Sequence, residues 1–348
     1  MALHWPRISE KGMSHLHSSN EMLLLVLALK DIALELLAKA RSVFVNPWMR
    51  KGGYVYTVDR TMLRSLLLLG QEDHIKFGKT FTHYETTNTG VTAYFSDGSS
   101  ESGTLLVGAD GTTSSVRKQL LPNLRYLDTG SRVIYGKTPL TEELTARFPA
   151  AAMKGTSVIQ DQYPLTLFME PIRFPKDAAV ESNGRLARTD DYVYWVLGGS
   201  VETFGFSDAE FHSLSGKDAA DLTLKLTAHW DPLFRPVFEL QNTAQSAPLR
   251  LISAKPERPG WIPSAKVVLM GDAIHAMMPA GGSGANTALT DASLLAGIIA
   301  ERGISEKTMG DFVNEMWEYA LLAIEVSAQG GKKLLGFKGF ENAKEVVL

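Results

Sequence analysis

Apolar and polar residues change rhythm several times along this chain, and each change predicts a different element. Residues 21–40 carry an apolar stripe broken by Lys30, Asp31 and Glu35, the pattern of an amphipathic helix packed on a core. The apolar run 22-MLLLVLAL-29 is far shorter than the ~20 residues a bilayer requires, so no membrane span is expected. Asn46-Pro47 and Gly52-Gly53 then interrupt the chain. Alternation in 54-YVYTVDR-60 predicts a strand, and 61-TMLRSLLLLG-70 a short helix ended by Gly70. Strand-like 91-VTAYF-95 leads through an Asp97-Gly98 hairpin turn to 104-TLLVGADG-111, an apolar strand running into a glycine-flanked Asp110. Residues 112–122 open with Thr and Ser capping candidates and stop at Pro122, as a helix would.

From about residue 124 the texture changes. The segments 131-SRVIYGKT-138, 156-TSVIQDQ-162, 164-PLTLFME-170 and 191-DYVYWVLGG-199 alternate apolar with polar residues and predict an antiparallel sheet. Residues 207–231 predict two helical pieces divided near Gly216, with Ser207 capping the first and Ser215 or Asp218 the second. Residues 240–263, holding Pro248, Pro256, Pro259 and Pro263, read as loop-rich. The strand 266-KVVLM-270 restores α/β texture, followed by helices over 287–302 and 308–327. The Lys- and Gly-rich tail from Gly330 is expected to fray. The sum is an α/β fold, α+β overall, in which one domain interrupts another. An incomplete Rossmann-like domain occupies 1–123 and 256–305. A substrate domain with an antiparallel sheet fills 124–255, and 306–348 form a C-terminal helix and tail.

Composition narrows the chemistry. The length of 348 residues suits about two domains. A net charge of -3 gives no electrostatic case for nucleic acid or an anionic membrane. The chain has no cysteine, which removes disulfides, thiolate nucleophiles and iron–sulfur ligation and fits a reducing, cytoplasmic setting.

Two stretches carry candidate chemistry. In 107-VGADGTTSSVR-117, Asp110 ends a strand, where α/β sheets bind ligands. Gly108 and Gly111 would let backbone approach a ligand, and Arg117 could pair with Asp110 or a phosphate. A tightly capped strand–helix turn explains the same residues. In 266-KVVLMGDAIHAMMPAGGSGANTALTDASLLAG-297, Asp272 again ends a strand, and its carboxylate can accept hydrogen bonds from polyol hydroxyls. Gly281, Gly282 and Gly284 would leave room for a flat ligand. The start of the helix from about Ala285 offers free N–H groups to an electron-rich group. An isoalloxazine that becomes anionic on reduction fits all three features. His275 reads as a scaffold hydrogen-bonding residue in preference to an acid or base, and no second ligand stands at metal spacing from it.

Together these motifs resemble the FAD-dependent aromatic hydroxylases, the single-component flavoprotein monooxygenases. The family's second motif, G-D-A-x-H-x-x-x-P-x-x-G-x-G-x-N-x-A-x-x-D-A, is met by Gly271, Asp272, Ala273, His275, Pro279, Gly282, Gly284, Asn286, Ala288, Asp291 and Ala292. Its middle motif, G-A-D-G-x-x-S-x-V-R, is met by Gly108 through Arg117, and 54-YVYTVDRTMLRSLL-67 looks like its Arg-bearing strand and helix. The resemblance implies that Asp272 hydrogen-bonds the ribityl or pyrophosphate region of FAD. It implies that Gly284, Ala285 and Asn286 present backbone to the flavin pyrimidine edge, with Gly282 leaving room and Pro279 beside the reactive face. Arg60 would contact FAD, and Asp110 and Arg117 would support FAD and NAD(P)H binding. The antiparallel sheet would roof a small-molecule substrate. The implied reaction draws electrons from NAD(P)H and passes one atom of O2 to an aromatic or olefinic compound of specialised metabolism. No catalytic side chain can be read from the sequence. Arg132, Tyr192 and Tyr194 are candidates to deprotonate or orient substrate, although ordinary core or surface positions are the preferred reading.

Members of the family open with a strand, a G-x-G-x-x-G turn and a helix that holds the FAD pyrophosphate. No G-x-G-x-x-G precedes Gly108 here, and 1-MALHWPRI-8 looks like a segment that follows that unit. The chain is therefore expected to be N-terminally truncated by a βαβ unit of about 30 residues. Two strands of the parallel sheet would then face a gap, and FAD would be held less tightly. A flavin-free isomerase or cyclase, or an inactive homologue, is the alternative on the same scaffold.

Overall fold

The computed structural model describes residues 58–160 and 165–348. The predicted helix over 21–40 and nearly all of the predicted strand over 54–60 lie outside the described residues. In chain order the first elements are α1 (Arg60–Leu68), β1 (Phe81–Thr86), β2 (Val91–Phe95), β3 (Ser100–Gly103), β4 (Leu106–Gly108) and α2 (Ser115–Leu120). The sheet-rich middle follows with β5 (Tyr126–Pro139), α3 (Glu142–Arg147), β6 (Ser157–Gln160), β7 (Leu165–Ile172), α4 (Ala178–Glu181), β8 (Tyr192–Ser200), α5 (Val201–Phe204), α6 (Asp208–Ser213), α7 (Gly216–Leu226), α8 (Pro236–Glu239) and β9 (Ala247–Ser253). The chain then returns through β10 (Val267–Leu269), α9 (Asp272–His275), α10 (Gly284–Arg302), α11 (Glu306–Leu334) and β11 (Lys344–Val346).

Local chemistry sets most boundaries. Asp59 caps α1 by accepting the Met62 N–H at 2.8 Å, so Arg60 opens a helix and does not close a strand. The hairpin turn between β2 and β3 has Gly98 at φ 81°, with Asp97 accepting the Ser99 N–H at 3.0 Å. The two helical pieces expected over 207–231 are α6 and α7, and each begins with a capping box, Ser207 with Glu210 and Ser215 with Asp218.

β4 and β10 pair in parallel, Leu106 opposite Val267 and Gly108 opposite Leu269, with all six residues buried. They hydrogen-bond directly, so the expected gap does not fall between them. The larger sheet runs β11-β5-β8-β7-β6, with β9 also on β5. Opposed residues of an antiparallel pair share a face. One face, carrying Ile134, Val193, Trp195, Leu197, Leu167 and Met169, forms a core with Leu144, Phe211, Leu222, Trp230 and Phe238 from the surrounding helices. The opposite face carries Val133, Tyr135, Lys137, Tyr192, Tyr194, Val196 and Phe168 in register and looks back toward the parallel pair.

A side chain at Gly136 would overlap the Trp195 indole. Gly136→Ala is expected to cost about 1–3 kcal/mol by overpacking, checked by urea unfolding followed through tryptophan fluorescence.

One expectation is corrected and unpredicted strands are added. The loop-rich stretch 240–263 also holds the unpredicted strand β9, which pairs with β5 from Leu127↔Ser253 to Tyr135↔Ala247. The tail does not fray at Gly330. Helix α11 continues to Leu334, and residues 344–346 add a strand to β5. Gly330 and Gly331 lie against Ala280 and Met278, where larger side chains would not fit, so they are packing positions and not breakers. Strand β1 went unpredicted because only Phe81 of its six residues is buried, leaving no apolar alternation to read.

Candidate functional site

The parallel register brings the two aspartate motifs out of the same edge of the sheet, beyond the carboxyl ends of β4 and β10. Asp110 is spent locally. One carboxylate oxygen accepts the Ser114 hydroxyl, and the other accepts the N–H groups of Ser115 at 2.8 Å and Val116 at 3.2 Å. This is the capped strand–helix turn. Arg117 does not pair with Asp110. Its buried guanidinium donates to the carbonyls of Thr112 at 2.8 Å and Ala273 at 3.0 Å and lies 4.3 Å from the centroid of the Tyr126 ring. Tyr126 in turn donates to the Asp272 carbonyl at 2.8 Å. Arg117 and Tyr126 thus tie the first motif to the second. Gly108 offers no ligand space either, since a side chain there would strike Leu269 and Val116.

The second motif turns at Gly271, whose φ of 60° and ψ of -148° suit glycine alone. Its N–H donates to Asp291 Oδ2 at 2.8 Å. The same oxygen bonds His275 Nε2 at 2.7 Å, and Oδ1 accepts the Tyr319 hydroxyl at 2.7 Å. Asp291 has no exposed surface, so three donors from two segments converge on one buried carboxylate. Burial disfavours the His275 imidazolium, but the bond and charge of Asp291 outweigh it and raise its pKa. Burial and the Asp291 charge hold the Tyr319 phenol neutral. His275 is fixed beneath the site as scaffold.

Asp272 points the other way. Its side chain is exposed, yet enough protein surrounds it that lost hydration raises its pKa, a rise opposed by the charges of His275 and Arg60. The carboxylate is thus accessible at a strand end while protein crowds around it. Beside it, Pro279 is exposed, and Gly282 sits at φ 61° with open space where a side chain would be. Gly284 is similarly open, with only Met277 nearby. Gly281 differs, because Ser327 of α11 fills its side-chain position. Of the three glycines expected to admit a ligand, two leave room and the third seats the loop on a helix. Helix α10 starts at Gly284 with no side-chain cap and no acidic residue in its first turn, and Ala285 is exposed. The backbone N–H groups of Gly284, Ala285 and Asn286 therefore carry the positive end of a 19-residue helix.

The larger sheet closes the site from above. Tyr135 and Tyr194 stack with centroids 5.9 Å apart, and Phe168 meets Tyr194 edge-on at 6.5 Å. Burial raises the pKa of both phenols and keeps them neutral. Arg60 is exposed, and its charge acts on Asp272 below and on Tyr135 and Tyr194 above. Arg132 is occupied elsewhere. It forms a two-pronged pair with Asp128 at 2.9 Å and binds Asp208 as well. Tyr192 donates to Asp59 Oδ2 at 2.6 Å. Arg60, Asp272, Pro279, Gly282, Gly284, Ala285, Asn286 and Tyr194 thus border the candidate site, Asp110, Arg117 and Tyr192 hold the neighbouring turns and strands, and Arg132 belongs to a separate ion-pair cluster. Asp59, Lys137 and Tyr135 went unsingled in the sequence, because their partners are 133, 78 and 59 positions away by the pairs Asp59–Tyr192, Lys137–Asp59 and Tyr135–Tyr194.

Comparison with known proteins shows the family. The family model of the FAD binding domain matches residues 262–305, which hold Asp272, the glycine loop and the start of α10. A dual O-methyltransferase/FAD-dependent monooxygenase of Phaeosphaeria nodorum is 38% identical over 334 residues, covering 82% of this chain and 35% of that protein. A protein of the same description from Cercospora beticola is 38% identical over 320 residues, covering 86% and 36%. A crystal structure from Photorhabdus luminescens subsp. laumondii, assigned as an FAD-containing monooxygenase, superposes with a TM-score of 0.69 at 32% identity, covering 81% of this chain and 75% of that one. The chain belongs to the FAD-dependent monooxygenase family. It spans about a third of the length of the curated relatives it matches.

Among the described residues, no helix is long and apolar enough to cross a membrane, and no cluster of three or more His, Asp or Glu side chains could hold a metal ion.

Proposed function

We propose that this chain binds the flavin and ribityl side of FAD and serves as an FAD-dependent monooxygenase. NAD(P)H would supply the electrons, O2 the oxygen atom, and an aromatic or olefinic small molecule of specialised metabolism would receive it. Bound FAD would supply the electron transfer and oxygen chemistry, which no side chain can provide. The observation that carries this reading is the exposed Asp272 beside the open Gly282–Gly284 backbone and the uncapped α10 terminus, beneath a tyrosine-lined sheet. The residues present fit the ring-side half of the cofactor. Asp272 would accept from ribityl hydroxyls. The N–H groups of Gly284, Ala285 and Asn286 would bind the pyrimidine carbonyl edge and favour negative charge there. Pro279 would border the reacting face, Arg60 would add positive charge at its rim, and Asp110 and Arg117 would hold the supporting turns. Residues 124–255 would form the substrate domain, with Tyr135, Phe168 and Tyr194 covering the substrate and excluding water. The G-x-G-x-x-G half of the usual pyrophosphate site has no counterpart in this sequence before Gly108.

The test is direct. Purified protein titrated into FAD should quench flavin fluorescence and shift its visible band, and NAD(P)H oxidation should rise when an accepted substrate is added. Unchanged flavin emission at high protein concentration would sink the redox reading and favour a flavin-free isomerase or cyclase.

A further inference from the structure

Arg60 owes its position to a buried cluster on the neighbouring sheet. Asp59 is 4% exposed, and its two oxygens face different elements. Oδ1 caps α1 through the Met62 N–H, while Oδ2 accepts Lys137 Nζ at 2.8 Å and the Tyr192 hydroxyl at 2.6 Å. Lys137 and Tyr192 stand on the adjacent strands β5 and β8, and Nζ lies 4.2 Å from the centroid of the Tyr192 ring. No residue within α1 is buried, and its Asp59 end is bonded to the sheet through Lys137 and Tyr192. The next residue is Arg60, whose charge reaches the Asp272 carboxylate on one side and the Tyr135–Tyr194 pair on the other. A carboxylate this buried needs its partners. Each one removed leaves charge or lone pairs unmatched and loosens the cap that aims Arg60.

We propose that Asp59, Lys137 and Tyr192 form a positioning triad that couples the substrate-covering sheet to flavin binding by holding Arg60 at the cofactor rim. This rests on the reading of Arg60 as an FAD contact. Lys137 acts through Arg60 and does not itself touch the cofactor, so its effect must vanish when Arg60 is absent.

The experiment is a double-mutant cycle on the full chain, read as FAD affinity by flavin fluorescence quenching, with far-UV circular dichroism as a check on folding. Arg60→Met and Lys137→Met are each expected to weaken FAD binding about tenfold, and the double variant should bind no more weakly than Arg60→Met alone. Lys137→Arg, which keeps the charge, should restore most of the loss. Tyr192→Phe removes one hydroxyl while keeping the ion pair, so it tests the triad even where Lys137→Met does not fold. Its expected loss of about threefold should also disappear in the Arg60→Met background. Multiplying losses in the double variants, or native affinity in both Lys137→Met and Tyr192→Phe, would overturn the triad while leaving Arg60 as a contact. Native affinity in Arg60→Met would overturn the contact itself, and the triad with it.

Discussion

Asp291→Ala should lower the unfolding free energy by about 3–5 kcal/mol, the largest loss expected from any single change at the site. The carboxylate is fully buried and bonds the Gly271 N–H, His275 Nε2 and the Tyr319 hydroxyl. Removing it leaves three polar groups without partners in a dry interior, and desolvated orphans are costlier than the mean worth of a hydrogen bond. Asp291→Asn keeps the volume and one acceptor and should fall between the two. The loss should depend on pH. The His275 pKa is raised on folding, so folding takes up a proton. The stability this contributes is complete below the unfolded-state value of about 6.5 and disappears as pH rises through the higher native value. Urea unfolding near pH 6 and near pH 9 checks both points. The stability gap between native protein and His275→Gln should narrow at the higher pH, and Asp291→Ala should lack this part of the pH dependence. An Asp291→Ala protein as stable as the native one would mean that the three donors find other partners.

Asp272→Ala should have the opposite profile. Its side chain is exposed and, among the described residues, no group hydrogen-bonds its carboxylate, so stability should change by no more than ~0.5 kcal/mol. FAD affinity should fall by about 10–100-fold, the range set by hydrogen bonds to a charged acceptor at 1.5–3 kcal/mol. Asp272→Asn should recover part of it, because an amide oxygen still accepts. Fluorescence quenching gives the affinity and a thermal melt of the flavin-free protein gives the stability. Equal losses in both would turn Asp272 into a structural residue. A loss in neither would move the ribityl contact elsewhere.

Local signals proved easy to read. Ser207, Ser215 and Ser114 each cap a helix three residues away, and a cap is written within one turn of sequence. The strand ends at Asp110 and Asp272 were equally plain, because an apolar run stops at a glycine. What sequence does not encode locally is which side of a small residue faces protein. Gly108 and Gly281 look like ligand-facing positions, yet Leu269 and Val116 fill one and Ser327 the other. Gly282 and Gly284 look no different in the sequence and remain open. The polar partners of Arg117 are likewise invisible, since one of them is the Ala273 carbonyl, 156 positions away. Strand β9 was hidden by prolines in its neighbourhood, and β11 by its charged residues. Each is held mainly by pairing with β5, an interaction between distant segments.

Helix α11 serves as a ruler. Along its 29 residues, Tyr319, Ser327, Gly331 and the Leu335 that follows make contacts at successive levels of the helix. Tyr319 reaches Asp291, Ser327 fills the space at Gly281, Gly331 abuts Met278, and the Leu335 carbonyl receives the Ser131 hydroxyl of β5 at 2.9 Å. One rod thus measures the distance between the aspartate floor and the tyrosine sheet. A single inserted residue would turn everything beyond it by about 100° and displace the contacts that follow. On the reading proposed above, this helix fixes the frame of the site, while its cover is free to change through Tyr135, Phe168 and Tyr194. A fold of this design can accept new guests by redecorating its ceiling without moving its walls.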